Sequence, residues 1–248
     1  MVVFFGDRAY KLKKPVDLGF LDFSTPQDRA VALAGTALKH LREGAVALVL
    51  IGGLPGTGKT ALADALASRL DATVLSSDRI RKELVGLAPA KLAAVPYGIG
   101  IYAPAVTEAT YAELLRRAAS LLAHGETVIA GASLASAEHR AAAAAAARST
   151  DARLVQLHCT APADLAAQRL TSRGPGASDA DRDIARHMAA AMAPWPEAIM
   201  IDTSRGGHRG GDDQTGVPGD LIDRAVRAIR PPEPEPAWHP ARPYMLPG

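Results

Sequence analysis

The stretch "AVALVLIGGLPGTGKTALADALASRL", residues 45–70, decides the fold. It opens as an unbroken apolar run ending in glycine, the pattern of a strand buried on both faces of a parallel sheet. It closes with Leu62, Leu66 and Leu70 at helical spacing. Between the two, Gly53, Leu54, Pro55, Gly56, Thr57, Gly58, Lys59 and Thr60 fit G-x-x-x-x-G-K-[ST] without a mismatch. Glycines let the backbone turn its N–H groups inward onto phosphate oxygens, and the helix that begins near Ala61 offers its N-terminus to the same anion. Lys59 supplies a cation for the β- and γ-phosphates, and the Thr60 hydroxyl a ligand for Mg²⁺. The expected cofactors are therefore ATP and Mg²⁺.

Downstream, strands and helices alternate. "ATVLSSD" (residues 72–78), "ETVIAGAS" (126–133), "RLVQLHCTAP" (153–162) and "EAIMIDTS" (197–204) read as further strands. Amphipathic helices lie between them, with an Ala-rich surface helix around residues 136–152. The alternation predicts an α/β fold, a parallel sheet flanked by helices. The segment 86–104 is rich in Pro, Gly and Tyr and is expected to shape an acceptor pocket, with Tyr97 and Tyr102 facing substrate. Residues 205–216 read as flexible, and 231–248 as a Pro-rich tail without a core-forming pattern.

Upstream, "VVFFGDRAYKLKK" (residues 2–14) reads as a β-hairpin around Gly6-Asp7. Val31, Ala34, Leu38 and Leu41 then form a helical stripe that Gly44 ends. The expected organisation is a hairpin arm at 1–25, a linker helix at 26–44, the P-loop domain at 45–230 and the tail at 231–248.

Asp78 falls at the end of the second strand of this domain, at the mouth of a doubly wound sheet. There its carboxylate could take the proton of a hydroxyl attacking the γ-phosphate, and could also touch the metal through water. A helix N-cap is the plainer reading of the same residue. Arg79 and Arg81 stand beside it, suited to hold a polar or anionic acceptor. Arg169 and Arg173 flank a Gly-Pro-Gly loop, either as a lid over the nucleotide or as a solvated helix end. His139 falls on the crevice or on an exposed helix face. Trp195 reads as a packing anchor, and Cys159 as a small core residue.

The P-loop, "SSDRIRKEL", "PYGIGIYAP…TYAELLRRA", "RGPGASDAD" and "PWPEAIMIDTS" together resemble the bacterial AAA-type P-loop kinase-like ATP-binding proteins, related to the zeta toxin, chloramphenicol phosphotransferase and polynucleotide kinase group. The likeness spans roughly residues 45–205. It implies a five-stranded core and an ATP:hydroxyl phosphotransferase acting on a small molecule. It also implies Asp78 as base and Arg140, Arg169 and Arg173 as charge stabilisers. One departure stands out: Gly131 occupies the place where that group carries an acid in its third strand. The opening hairpin is similar to the N-lobe of aminoglycoside phosphotransferases, with Ala9-Tyr10-Lys11 matching A-x-K, but the rest of that lobe is missing.

Bulk properties narrow the field. A formal charge of +2 and 4% aromatic residues give no basic stripe with stacking rings, which argues against nucleic acid as partner. No apolar run approaches about 18 residues, so no membrane span is expected. One cysteine and no apparent leader make the cytoplasm the expected compartment. The oligomeric state is left open. The competing readings are a degenerate ATP-binding regulatory protein, prompted by Gly131, and a polynucleotide 5′-kinase.

Overall fold

The computed structural model describes residues 2–5, 8–11, 25–43, 46–88, 98–172, 182–204 and 217–230. The chain divides into two compact units, Met1–Gly44 together with Pro232–Gly248, and Ala45–Pro231. In the first, β1 (Val2–Phe5) pairs antiparallel with β2 (Arg8–Lys11), placing Val2 opposite Lys11. Helix α1 (Pro26–Glu43) follows, opening on a proline that suits a first helical turn. The stretch read as flexible at 205–216 and the Pro-rich tail at 231–248 lie outside the described residues.

The second unit is built on a parallel sheet of β3 (Ala47–Gly52), β4 (Thr73–Ser76), β5 (Val128–Gly131), β6 (Arg153–Thr160) and β7 (Ile199–Asp202). Their order across the sheet is β4-β5-β3-β6-β7, so β3 is central. The chain leaves β3 toward one edge and β6 toward the other. That reversal opens a crevice at the C-terminal ends of the strands, where doubly wound sheets bind their ligands.

Alternation along β3 explains the two cores. Val49 and Ile51 pack with Leu62 and Leu66 of α2 (Lys59–Leu70) and Ile222 of α8 (Gly219–Ile229). Leu48 and Leu50 point the other way, into Leu114 and Ala118 of α4 (Pro104–Ala123) and Ala143 and Ala147 of α5 (Ala137–Ser149). A strand with water on neither face needs the unbroken apolar run seen in its sequence. The Ala-rich α5 is a surface helix as expected, exposed along Ala137, Ala141, Ala142 and Ala145, with one inward stripe. Its alanines at 143 and 147 are fully buried, because small side chains let the helix lie close against the sheet.

Three further helices frame the crevice. Helix α3 (Ser77–Leu84) begins directly at the end of β4, α6 (Ala163–Thr171) follows β6, and α7 (Arg182–Ala190) precedes β7. The Ser76 hydroxyl, not the Asp78 carboxylate, caps α3, accepting from the Arg79 N–H at 3.5 Å. Asp78 sits inside the first turn of the helix. The N-cap reading of Asp78 is thereby corrected, and its carboxylate is not engaged at that position.

Candidate functional site

The phosphate loop is held in shape by close approach. Gly53 (φ 137°) leaves no room for a side chain beside the Cys159 carbonyl, and Gly56 (φ 81°) none beside that of Ala166. Both conformations are open to glycine and strained for other residues. Within the loop the Thr57 hydroxyl donates to the Leu54 carbonyl at 2.7 Å, and Lys59 Nζ donates to the same oxygen at 2.9 Å. Leu54 is half-buried, Pro55 and Gly56 are buried, and Ala61 is half-buried at the start of α2. Thr60 is exposed, its hydroxyl open to the crevice. The Lys59 ammonium sits close enough to push down the pKa of both His158 and Cys159. Burial outweighs it at Cys159, whose thiol is pushed up to about 12, and adds to it at His158. Cys159 is thus a neutral core residue.

One residue absent from the sequence reading ties this loop to the sheet. Thr203, buried just past β7, places its hydroxyl 2.9 Å from the Thr57 carbonyl and 3.1 Å from that of Thr160. Arg169 on α6 in turn donates to the Thr203 hydroxyl at 3.1 Å and to its carbonyl at 2.8 Å. Arg169 therefore braces the loop through Thr203 and is not part of the crevice lining. Threonine at a strand end is too ordinary for its sequence to have marked it.

A cleft of about 580 Å³ runs from Lys59 and Thr60 past Asp78 to α4 and α5. Asp78, Arg79, Arg81 and Tyr102 all line it. Asp78 is half-buried, and Arg79 is exposed. Arg81 is buried: its Nη1 donates to the Ile101 carbonyl at 3.0 Å and to Thr107 Oγ1 at 3.1 Å, and its guanidinium carbon stands 5.2 Å from the centre of the Tyr102 ring. Those bonds fasten the short 3-10 turn Gly100–Tyr102 to the start of α4. Arg81 Nε is buried without a hydrogen-bond partner.

Arg140 is corrected by its surroundings. Its guanidinium donates to the carbonyls of Leu134, Ala135 and Pro194 at 2.8, 3.1 and 2.7 Å and lies over the Trp195 ring at 5.1 Å. It staples the loop after β5 to the segment before β7 and does not line the cleft. Trp195 completes the staple, its indole N–H donating to Gln156 Oε1 at 2.9 Å. Tyr97 and Arg173 lie outside the described residues. The cleft gains residues that the sequence reading left aside: Asp64, Glu108, Tyr111, Ser133 and Ser136. His139, for which two placements were open, lies on the crevice.

The cleft lining includes oxygen donors of the kind a hard divalent cation takes: the Thr60 hydroxyl and the carboxylates of Asp64 and Asp78. Among the described residues no group of three His, Cys, Asp or Glu side chains forms a metal cage.

A central parallel sheet, a phosphate loop after its middle strand and an open cleft beside it define a P-loop domain of the kinase-like kind. Residues 48–195 match the family model described as AAA domain, and the chain belongs to that family. An uncharacterized protein of Mycobacterium tuberculosis is 36% identical over 168 residues, 68% of this chain and 34% of the relative. The chain thus spans about a third of the length of the curated relatives it matches. Among solved structures, a sugar kinase from Janibacter sp. HTCC2649 superposes with a TM-score of 0.53 at 17% identity, over 74% of this chain and 94% of that one. Kti12 of Chaetomium thermophilum, solved with ADP-AlF3, gives a TM-score of 0.50 at 17% identity, over 73% and 98%. At these identities the two structures bear on the fold. No helix among the described residues is long and apolar enough to cross a membrane.

Proposed function

We propose that the chain is an ATP-dependent phosphotransferase that moves the γ-phosphate of ATP to a hydroxyl of a small molecule. One observation carries this reading: a single cleft is lined both by the phosphate loop, through Lys59 and Thr60, and by Asp78. A hydroxyl bound there has a base on one side and the phosphate on the other. Asp78 takes the hydroxyl proton as the acceptor oxygen bonds to the γ-phosphorus. The bond from that phosphorus to the β–γ bridging oxygen breaks, and ADP leaves with the electron pair. Lys59 holds the β- and γ-phosphates, and the loop N–H groups spread the developing charge. Mg²⁺, held by the Thr60 hydroxyl and reached by Asp78 through water, would neutralise charge on the phosphates. Arg79 and Arg81, both on the cleft wall, would hold the acceptor. ATP as donor and a single free, buried thiol suit the cytoplasm.

The test is a γ-phosphate transfer screen over sugars, amino sugars, nucleosides and antibiotics, with Lys59→Ala as the blank. Asp78→Asn is expected to lower kcat by at least about 100-fold, the scale of general base catalysis, while ATP still binds. Unchanged transfer in that variant would remove Asp78 as the base. A second reading, an ATP-binding protein without efficient transfer, is favoured by Gly131, which lines the cleft at the position where the resemblance implies an acid. It predicts nucleotide binding with no product from any acceptor.

A further inference from the structure

The cleft has a second wall that the phosphoryl chemistry does not use. Glu108 and Tyr111 lie one turn apart on α4, and His139 sits in the first turn of α5. The His139 ring stacks on Tyr111 with centroids 3.7 Å apart and planes 10° from parallel. Its Nε2 lies 3.0 Å from Glu108 Oε1. The Tyr111 phenol is in turn fixed from behind, 3.0 Å from Ser133 Oγ and accepting the Leu134 N–H at 3.0 Å. Burial pushes the Tyr111 pKa up, so its phenol stays a neutral hydrogen-bonding group. Every one of these side chains except the apolar Leu134 lines the cleft.

The charges of the cleft are unevenly placed. Its lining cations, Lys59, Arg79 and Arg81, stand on the loop, α2 and α3. The described lining residues of α4 and α5 include no lysine or arginine, and offer one carboxylate, one imidazole and hydroxyls. Glu108 is 71% exposed at its side chain, with Oε2 left for a ligand, whereas His139 is 14% exposed and locked. An anionic group set against this wall would meet Glu108 at close range, and a like charge there is costly. Hydroxyl and ammonium hydrogens are what such a wall accepts. Ala135, Met188 and Ala191 add an apolar lining suited to the C–H faces of a ring.

The geometry points to Glu108, His139 and Ser136 as an acceptor-binding wall that reads a neutral or amino-bearing polyol, a sugar or amino sugar, and rejects sugar acids and sugar phosphates. This assignment rests on the phosphotransferase reading for its cleft but not for its chemistry. Glu108 takes hydrogen bonds from two neighbouring hydroxyls or from one hydroxyl and one ammonium group. His139 holds that carboxylate in place, its own orientation fixed by the Tyr111 stack.

The experiment is ligand-observed NMR on the full chain loaded with a non-hydrolysable ATP analogue. The panel comprises neutral hexoses, amino sugars, hexuronic acids and hexose phosphates. Glu108→Gln, His139→Asn and, as a control, the exposed Glu138→Gln are run alongside. Binding of a neutral or amino sugar is expected, weakened about tenfold or more by Glu108→Gln, the scale of a lost charged hydrogen bond. Glu138→Gln should change nothing, and nucleotide affinity should be the same in all four proteins. Preference for the acids or phosphates, no sugar binding at all, or unchanged binding in Glu108→Gln would each overturn the assignment. Should Glu108→Gln prove poorly folded by thermal melting, the same titration of His139→Asn decides the matter: weakened sugar binding upholds the wall, and unchanged binding overturns it. Sugar bound without phosphate transfer would sink the phosphotransferase reading and leave this wall standing. Transfer with an acceptor KM indifferent to Glu108 would do the reverse.

Discussion

At the scale of single residues, Thr203 is the most exposed to test. Its hydroxyl lies within reach of two carbonyls and accepts from Arg169, so one side chain joins the phosphate loop, β6 and α6. Thr203→Val keeps the shape and removes the hydrogen bonds. It is expected to cost about 1–3 kcal/mol of stability, read by denaturant unfolding, and to weaken nucleotide binding, while Thr203→Ser restores both. An unaltered nucleotide Kd in the valine variant would show that the loop keeps its shape without this brace. Gly131 offers the opposite case. A Cβ there meets only the Leu75 carbonyl, at 3.8 Å, and the backbone is not in the left-handed region. Gly131→Asp should therefore fold normally, and a large gain in phosphate transfer would support the degenerate reading. Gly52 is different again, because a Cβ there would strike the Trp195 ring. The two glycines stand at the ends of neighbouring paired strands, and only one of them has space beside it.

At the scale of elements, the wall of the cleft is held by ionic and hydrogen-bonded fasteners. Arg117 on α4 pairs with Glu83 of α3 and with Glu113, each at 2.7 Å, and Glu113 also holds Arg116. These bonds draw the Glu113 pKa down to about 2. A carboxylate lowered in the fold adds stability above its unfolded pKa, about 4.3, that is lost as pH falls toward 2. Glu113→Gln should thus lower stability slightly at neutral pH, since exposed pairs contribute little, and flatten the acid limb between about pH 4 and 2 by the same small amount. The buried staple is stronger. Arg140→Met leaves three carbonyls without their donor and is expected to lower stability by about 2–4 kcal/mol.

The elements also show how far the sequence could be read. The apolar run, the loop and the Leu62–Leu66 spacing define β3 and α2 because local pattern and tertiary role coincide there. Ser76, Ser77 and Asp78 are all capping types in a row, so composition alone could not say which one caps α3; backbone geometry selects Ser76. Arg140 misled because an arginine beside a crevice looks the same in sequence whether it faces phosphate or backbone carbonyls. The Glu108–Tyr111–His139 group escaped for a different reason. Its members come from two helices that pack against each other on one face of the sheet, and no spacing rule links residues 108 and 139.

At the scale of the whole molecule, the division at Gly44–Ala45 gives a simple expectation. Removing residues 1–25 should leave ATP affinity unchanged. Loss of binding in a protein that still melts cooperatively would return Lys11 to consideration. Acid sensitivity should also have a second source. Burial, Arg140 and Lys59 all lower the His158 pKa, so the folded state resists its protonation. A base lowered in the fold gives stability above its unfolded pKa, about 6.5, that declines as pH drops below it. His158→Gln should remove that decline, seen as a melting temperature that stays level from about pH 7 to 5.5.

Arg81 ties the 3-10 turn to α4, and Tyr111 is fixed by Ser133 and Leu134, with none of these bonds reaching the phosphate loop. An acceptor wall assembled in this way does not wait for a nucleotide to build it. In steady-state kinetics the two substrates should then add in either order, with double-reciprocal lines that cross on the abscissa. The KM for acceptor would stay the same from scarce to saturating ATP, making turnover a product of two independent occupancies and not a sequence of commitments.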